Sequence, residues 1–164
     1  MTWANGPITV YHGTDNMSAA SIRGGINPVY FRPRTDFGAG FYVTTVLHQA
    51  QQWANQRARR IGNAQAEVLE YHLDRSAVET QRHLAFNLDG TDYWDFVTFC
   101  RTGAANHGPA RSWPYDVVYG PVSLWPQQLV LANCDQLLLS DPNALGAGFR
   151  FRRAITPAAP TLYF

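Results

Sequence analysis

Asp36-Phe37-Gly38-Ala39-Gly40-Phe41-Tyr42-Val43-Thr44-Thr45 is the stretch that decides how the rest of the chain folds. Its two glycines give a backbone free to take positive φ and to let another group come close. The run 41–45 is aromatic and β-branched, which predicts a strand leaving that turn. Thr44 or Thr45 then caps the helix that follows. A glycine turn that sets an aromatic at the head of a strand suits a flat ring lying against it. It also suits a plain β-turn whose aromatics fill a core, and the flanking sequence has to choose.

Downstream, residues 46 to about 60 predict the strongest helix, with Leu47, Ala50, Trp53 and Ala54 on one apolar face. Arg57, Arg59 and Arg60 crowd its last turn, where cations suit the helix dipole, and read as solvated, structural side chains. Residues 67–73 alternate like a strand with one polar face, and 75–87 stay ambiguous. Thr91 or Asp92 caps a helix to about residue 101 that carries Tyr93, Trp94, Phe96, Val97 and Phe99. Residues 103–114 read as loop, 116–122 as a buried strand, 136–139 as a late strand and 149–155 as an edge strand. Upstream, residues 8–12 form a short strand ended by Gly13. Asp15 or Asn16 caps a helix through about residue 23, and Gly24-Gly25 stops it. Residues 26–35 carry Pro28, Tyr30, Arg32, Pro33 and Arg34, too punctuated for regular structure and well placed for a mobile flap. The order predicts an α+β fold, a mostly antiparallel split sheet flanked by helices, in one domain over 1–164 with its core at about 8–155.

Composition narrows the function. At 164 residues and 46% hydrophobic the chain can bury a core, and its 15% charged residues do not suit a disordered tail. All thirteen basic residues are arginine, which removes a P-loop lysine, a kinase lysine and any Schiff-base mechanism. The triplet Asp36-Phe37-Gly38 therefore does not belong to a kinase. A formal charge of +1 implies no bulk attraction to nucleic acid. Cys100 and Cys134 match no metal spacing and read as free, buried thiols, and no metal site is expected. His48, His72, His83 and His107 read as structural, Trp53 and Trp94 as core. No run is long and apolar enough for a membrane span, and no leader appears, so a cytoplasmic protein is expected, or one delivered into a target cell.

Three pieces align: Tyr11-His12-Gly13-Thr14 at a strand end, the 36–45 stretch, and Gln136 opening a late strand. Together they resemble the ADP-ribosyltransferase superfamily of the His-Tyr-Glu type, shared by diphtheria-toxin-like and poly(ADP-ribose)-polymerase-like catalytic domains. The chain is most similar to small bacterial domains of that superfamily, through Asp-Phe-Gly-x-Gly-Phe-Tyr-x-Thr and Gln-Ala-x-x-Trp-Ala at 49–54. A tryptophan-led helix ending in arginine (Trp94, Phe96 or Val97, Arg101) and Asp-x-Val-x-Gly-Pro at 116–121 extend the likeness over about 8–145.

The resemblance implies NAD as substrate and a single-ADP-ribose transfer to a protein or nucleic-acid acceptor, by a toxin, effector or defence protein. His12 would bond the adenosine ribose, and the Gly13 backbone, beside Thr14, would hold the nicotinamide carboxamide. Tyr42, after Gly40, would stack on nicotinamide, with Tyr30 a second aromatic wall. Thr44 would sit beside the ribose, and Arg32, with Arg34, would meet the pyrophosphate or an acceptor. Gln136 would take the place of the catalytic glutamate. Breaking the nicotinamide–ribose bond passes through an oxocarbenium-like state, which a bent, desolvated dinucleotide reaches without a metal. A glutamine can bond a ribose hydroxyl but carries no charge and takes no proton, which disfavours polymer formation. Asp135 is the alternative acid, on the opposite strand face. NAD hydrolysis and a non-catalytic NAD-binding or protein-interaction module are the alternatives, and an immunity or antitoxin protein is an expected partner.

Overall fold

The computed structural model describes residues 6–102 and 115–157, so the loop expected over 103–114, with His107, lies outside the described residues. In chain order the first elements are β1 (Ile8–Asp15), α1 (Asn16–Arg23), β2 (Phe41–Val43), α2 (Leu47–Ile61), β3 (Ala66–Leu73) and α3 (Arg75–Glu79). There follow β4 (His83–Ala85), α4 (Thr91–Arg101), β5 (Val117–Gly120), β6 (Ser123–Leu124), β7 (Gln127–Val130), β8 (Gln136–Leu139) and β9 (Phe149–Ile155). The fold is α+β, and its sheets are mostly antiparallel.

Two sheets form the body. One runs β1-β3-β9, antiparallel throughout, and the other runs β2-β8-β5-β4, with only β4 and β5 parallel. They touch at one bridge, where Tyr11 and Thr44 exchange amide and carbonyl at 2.8 and 2.9 Å. One apolar cluster joins Val10, Leu69, Tyr71 and Leu73 of the first sheet to Phe41, Val43, Leu137 and Leu139 of the second. A second cluster centres on Phe37, fully buried, whose ring meets Tyr93 and Phe96 edge-on at 6.4 and 5.8 Å. That is the geometry aromatic quadrupoles prefer. Alternation along β2 feeds both clusters, with Phe41 and Val43 in the first and Tyr42 against the second.

Several local expectations change. β1 runs on through Gly13 to Asp15, because the whole stretch pairs with β3 as far as Asp15 opposite Ala66. Asp15 is the N-cap of α1, as one of the two expected candidates, and Gly24 closes that helix. The residue before α2 is Val46, which cannot cap; its amide donates to the Thr44 hydroxyl at 3.0 Å instead. The helix buries Gln49, Ala50, Ala54 and Ala58, while Trp53 is only half-buried. Small residues on that face let α2 lie close on β1, and a Cβ on Gly13 would collide with the Ala50 carbonyl. β3 has no solvated polar face. It is the central strand of its sheet, and Glu70, nearly buried, meets the Arg153 guanidinium at 3.3 Å. α4 starts after Gly90 without a side-chain cap. Trp94 is buried, and both cysteines are free thiols, Cys100 buried and Cys134 half-buried. No described helix is long and apolar enough to cross a membrane.

Candidate functional site

The site is the place where the two sheets part. In a continuous antiparallel sheet the bonded pair after Tyr11–Thr44 is Gly13–Tyr42. Here the His12 ring takes the Tyr42 carbonyl, with Nδ1 at 2.7 Å. A carbonyl only accepts, so Nδ1 carries the proton and Nε2 of the neutral ring is left an acceptor. Burial drives the imidazole pKa down to about 4, helped by the Arg57 charge and opposed by the bond to Tyr42. The ring lies flat on Phe41, centroids 4.2 Å apart, which fixes its plane. Strand alternation turns the amide and carbonyl of Gly13 toward the gap, as it turns those of Tyr11 toward Thr44. Across that gap they find no backbone partner among the described residues.

Beyond the gap lies a cavity of about 650 Å³ between β1, α1, the 26–35 segment and β2. His12, Gly13 and Thr14 form its inner wall, and Gly40, Phe41 and Tyr42 the side opposite. Met17, Ser18, Ser21 and Ile22 present one face of α1 at helical spacing. Tyr30, Phe31 and Arg32 come from the outer segment, where Pro28–Tyr30 makes a 3₁₀ turn capped by the Asn27 side chain. Tyr30 is 73% exposed and stands at the lip. The cavity size suits a small-molecule ligand.

The glycine turn is held by Tyr42 itself. Its hydroxyl accepts the Phe37 amide at 2.9 Å and lies 2.7 Å from the Gly38 carbonyl and 2.8 Å from the Thr35 hydroxyl. Gly38 has φ of 88°, a left-handed value that a side chain would resist. Burial holds the Tyr42 phenol well above its ordinary pKa. The phenol is therefore a neutral strut, and Tyr42, half-buried, is among the residues that line the cavity. Gly40 is required for a different reason, since a Cβ there would strike the Leu138 side chain on β8.

Three expected site residues stand elsewhere. Thr44 is fully buried, with its hydroxyl 2.7 Å from Asp135 Oδ1 and 3.0 Å from Gln49 Oε1, and it does not line the cavity. Gln136 does not line it either. Its amide donates to Asp36 Oδ2 at 2.7 Å and to the Pro121 carbonyl at 2.9 Å. Asp36 also receives the Arg101 guanidinium at 2.6 Å and both the amide and hydroxyl of Ser123, at 2.8 and 2.5 Å. This buried knot ties the glycine turn to α4, β6 and β8. Asp135 is spent as well: it accepts the Thr44 hydroxyl and both the amide and hydroxyl of Thr45, with the Tyr119 hydroxyl at 3.3 Å. Gln49 grips the Asp135 backbone at 2.7 and 3.0 Å, which accounts for the glutamine of the Gln-Ala-x-x-Trp-Ala block.

Arg57 corrects the sequence reading in the other direction. It lines the cavity, with Nε on Asp15 at 2.6 Å and Nη2 on the Ser18 hydroxyl at 3.2 Å. Burial alone would raise the Asp15 pKa, but the Ser18 hydroxyl and amide and the Arg57 guanidinium outweigh it and bring it to about 2. The signal was present: residue 57 lies three after Ala54 on the buried side of α2, whereas Arg59 and Arg60 face solvent.

A family model described as a protein of unknown function, DUF3990, matches residues 8–124. The chain belongs to that family. The matched span holds β1, α1, β2 and α2, hence every residue named on the cavity wall. A search of curated proteins returns no match.

Proposed function

We propose that this chain binds NAD in the cavity at the sheet gap and transfers its ADP-ribose to a macromolecular acceptor, with an ADP-ribosyltransferase-like split sheet as its scaffold. The observation that carries the reading is the His12 strut, which holds β1 off β2 and leaves the Gly13 backbone facing the opening. An amide donor and a carbonyl acceptor two atoms apart on one residue match a carboxamide. The Tyr42 ring supplies an aromatic wall for the pyridine, worth about 1–3 kcal/mol by analogy with base–aromatic stacking. Nε2 of neutral His12 accepts a ribose hydroxyl, and Thr14 adds a hydroxyl partner. Bound there, NAD offers a nicotinamide leaving group and an electrophilic ribose carbon. The protein's part is to orient the dinucleotide and keep water from that carbon. Hydrolysis is the same chemistry with water as acceptor.

A second reading has its own support. No carboxylate lines the cavity among the described residues, and the Gln136 amide protons are committed to Asp36 and Pro121. That arrangement favours a module that binds NAD without cleaving it. Incubation with NAD labelled in the adenylate half, alone and with a cell extract, separates the readings. The transfer reading expects label on protein or nucleic acid. Free ADP-ribose alone means hydrolysis, and binding without release of nicotinamide means the module. No binding at all contradicts the proposal.

A further inference from the structure

Arg57 is oriented as a ligand-binding guanidinium should be. It reaches from α2 to the start of α1, and two of its nitrogens are held there by Asp15 and Ser18 at 2.6 and 3.2 Å. Asp15 is itself fully buried and pinned by the Ser18 amide and hydroxyl at 2.8 and 2.6 Å, so the fork cannot swing freely. The remaining nitrogen, Nη1, has no partner among the described residues, and about a third of the side chain (34%) is open to solvent at the cavity. Arg32 contributes a second, exposed cation to the same wall, and no described acid on that wall opposes them. Nη1 and the second N–H of Nη2 lie along one edge of the guanidinium, and such an edge is complementary to paired phosphate oxygens, which it meets through two parallel N–H···O bonds. A neutral ring would leave those donors unmatched.

We propose that Arg57 is the phosphate anchor of this cavity, gripping the diphosphate of its nucleotide ligand, with Asp15 as the residue that positions it. The inference rests on the NAD reading, because it names the part of that ligand which meets α2. Arg32 strengthens the field at the lip without fixing geometry, its guanidinium having no partner among the described residues.

Calorimetric titration of the full chain with ADP, adenosine and NAD tests this. Arg57→Lys keeps a cation beside Asp15 and loses the fork, and Arg57→Gln loses both. Each is expected to weaken ADP and NAD by about tenfold to a hundredfold and to leave adenosine unchanged. Asp15→Asn is expected to weaken ADP in the same selective way by freeing the guanidinium. Equal loss of ADP and adenosine, or no loss of either, overturns the anchor. If ADP binds through Arg57 while NAD does not bind, the anchor stands and the NAD reading falls. If NAD binds and the Arg57 variants bind it equally well, the anchor falls and the NAD reading stands. Absence of binding by all three ligands overturns both. A melting curve for each variant identifies any that fails to fold, and Arg57→Lys, which retains the ion pair, then decides.

Discussion

The Gln136 amide gives one proton to Asp36 and one to the Pro121 carbonyl, and a carboxylate in its place would have neither to give. Gln136→Glu would set two buried acids 2.7 Å apart at the knot that holds the glycine turn. Its expected cost is about 2–4 kcal/mol at pH 7. The cost shrinks toward pH 4, as one acid of the pair takes up a proton. Urea unfolding at both pH values measures this, and an undiminished stability at pH 7 would contradict the structural role given to the glutamine. His12 offers a second test at this scale. Its folded pKa of about 4 lies below the ordinary 6.5, so the unfolded chain binds the extra proton first as pH falls. Stability attributable to neutral His12 is therefore complete above pH 6.5 and is lost between about 6.5 and 4, by at most about 3 kcal/mol. An NMR titration of the imidazole should find its midpoint near 4, and a midpoint near 6.5 would mean that the ring is not locked on Tyr42.

β1 and α2 act as a unit, because α2 rests on the bare backbone of Gly13. Gly13→Ala would press a methyl into the Ala50 carbonyl and push the helix away, with an expected loss of about 3 kcal/mol, read from chemical denaturation. A smaller penalty under 1 kcal/mol would show that α2 shifts without cost. The glycine turn and β2 form a second unit closed by the Tyr42 hydroxyl. Tyr42→Phe removes the hydroxyl that accepts the Phe37 amide and is expected to cost about 1–3 kcal/mol. Tyr42→Ala would therefore mix a stability loss with any binding loss, and the phenylalanine variant keeps the ring. These units also mark what was legible in the sequence. Capping chemistry gave away α1, β-branched and aromatic runs located β2 and β5, and Phe149–Ile155 read correctly as an edge. Thr44 and Gln136 were misplaced because a strand's pattern predicts alternation but not which alternate set faces a cavity. That choice depends on partners about ninety to a hundred positions away, Asp135 for Thr44 and Asp36 for Gln136. The hairpin of β6 and β7 gave no periodic signal, being two and four residues long.

At the scale of the whole molecule, two half-sheets share one bridge, and the cavity exists because they share no more. Its wall is drawn from β1, α1, the 26–35 segment, β2 and α2, so the sequence could name His12, Gly13, Tyr30, Arg32 and Tyr42 only by their local setting. Arg57 was hidden by two neighbouring arginines that do face water. Acid should weaken the assembly in two steps of the same sign. Neutral His12 is lost as a contribution between about pH 6.5 and 4. The Asp15 carboxylate, held at about 2, keeps its full contribution above its ordinary 3.8 and loses it as pH falls toward 2. A melting-temperature series from pH 8 to 2 should thus fall below 6.5 and fall again below about 4. The account turns on NAD entering the gap that His12 keeps open. Amide chemical shifts recorded during titration with NAD test that most directly. The account predicts saturable shifts at Gly13, Thr14, Ser18, Ile22 and Tyr42, with Asp74 and Arg75, where β3 passes into α3, unmoved. Shifts confined to other surfaces, or none at saturating NAD, would contradict it.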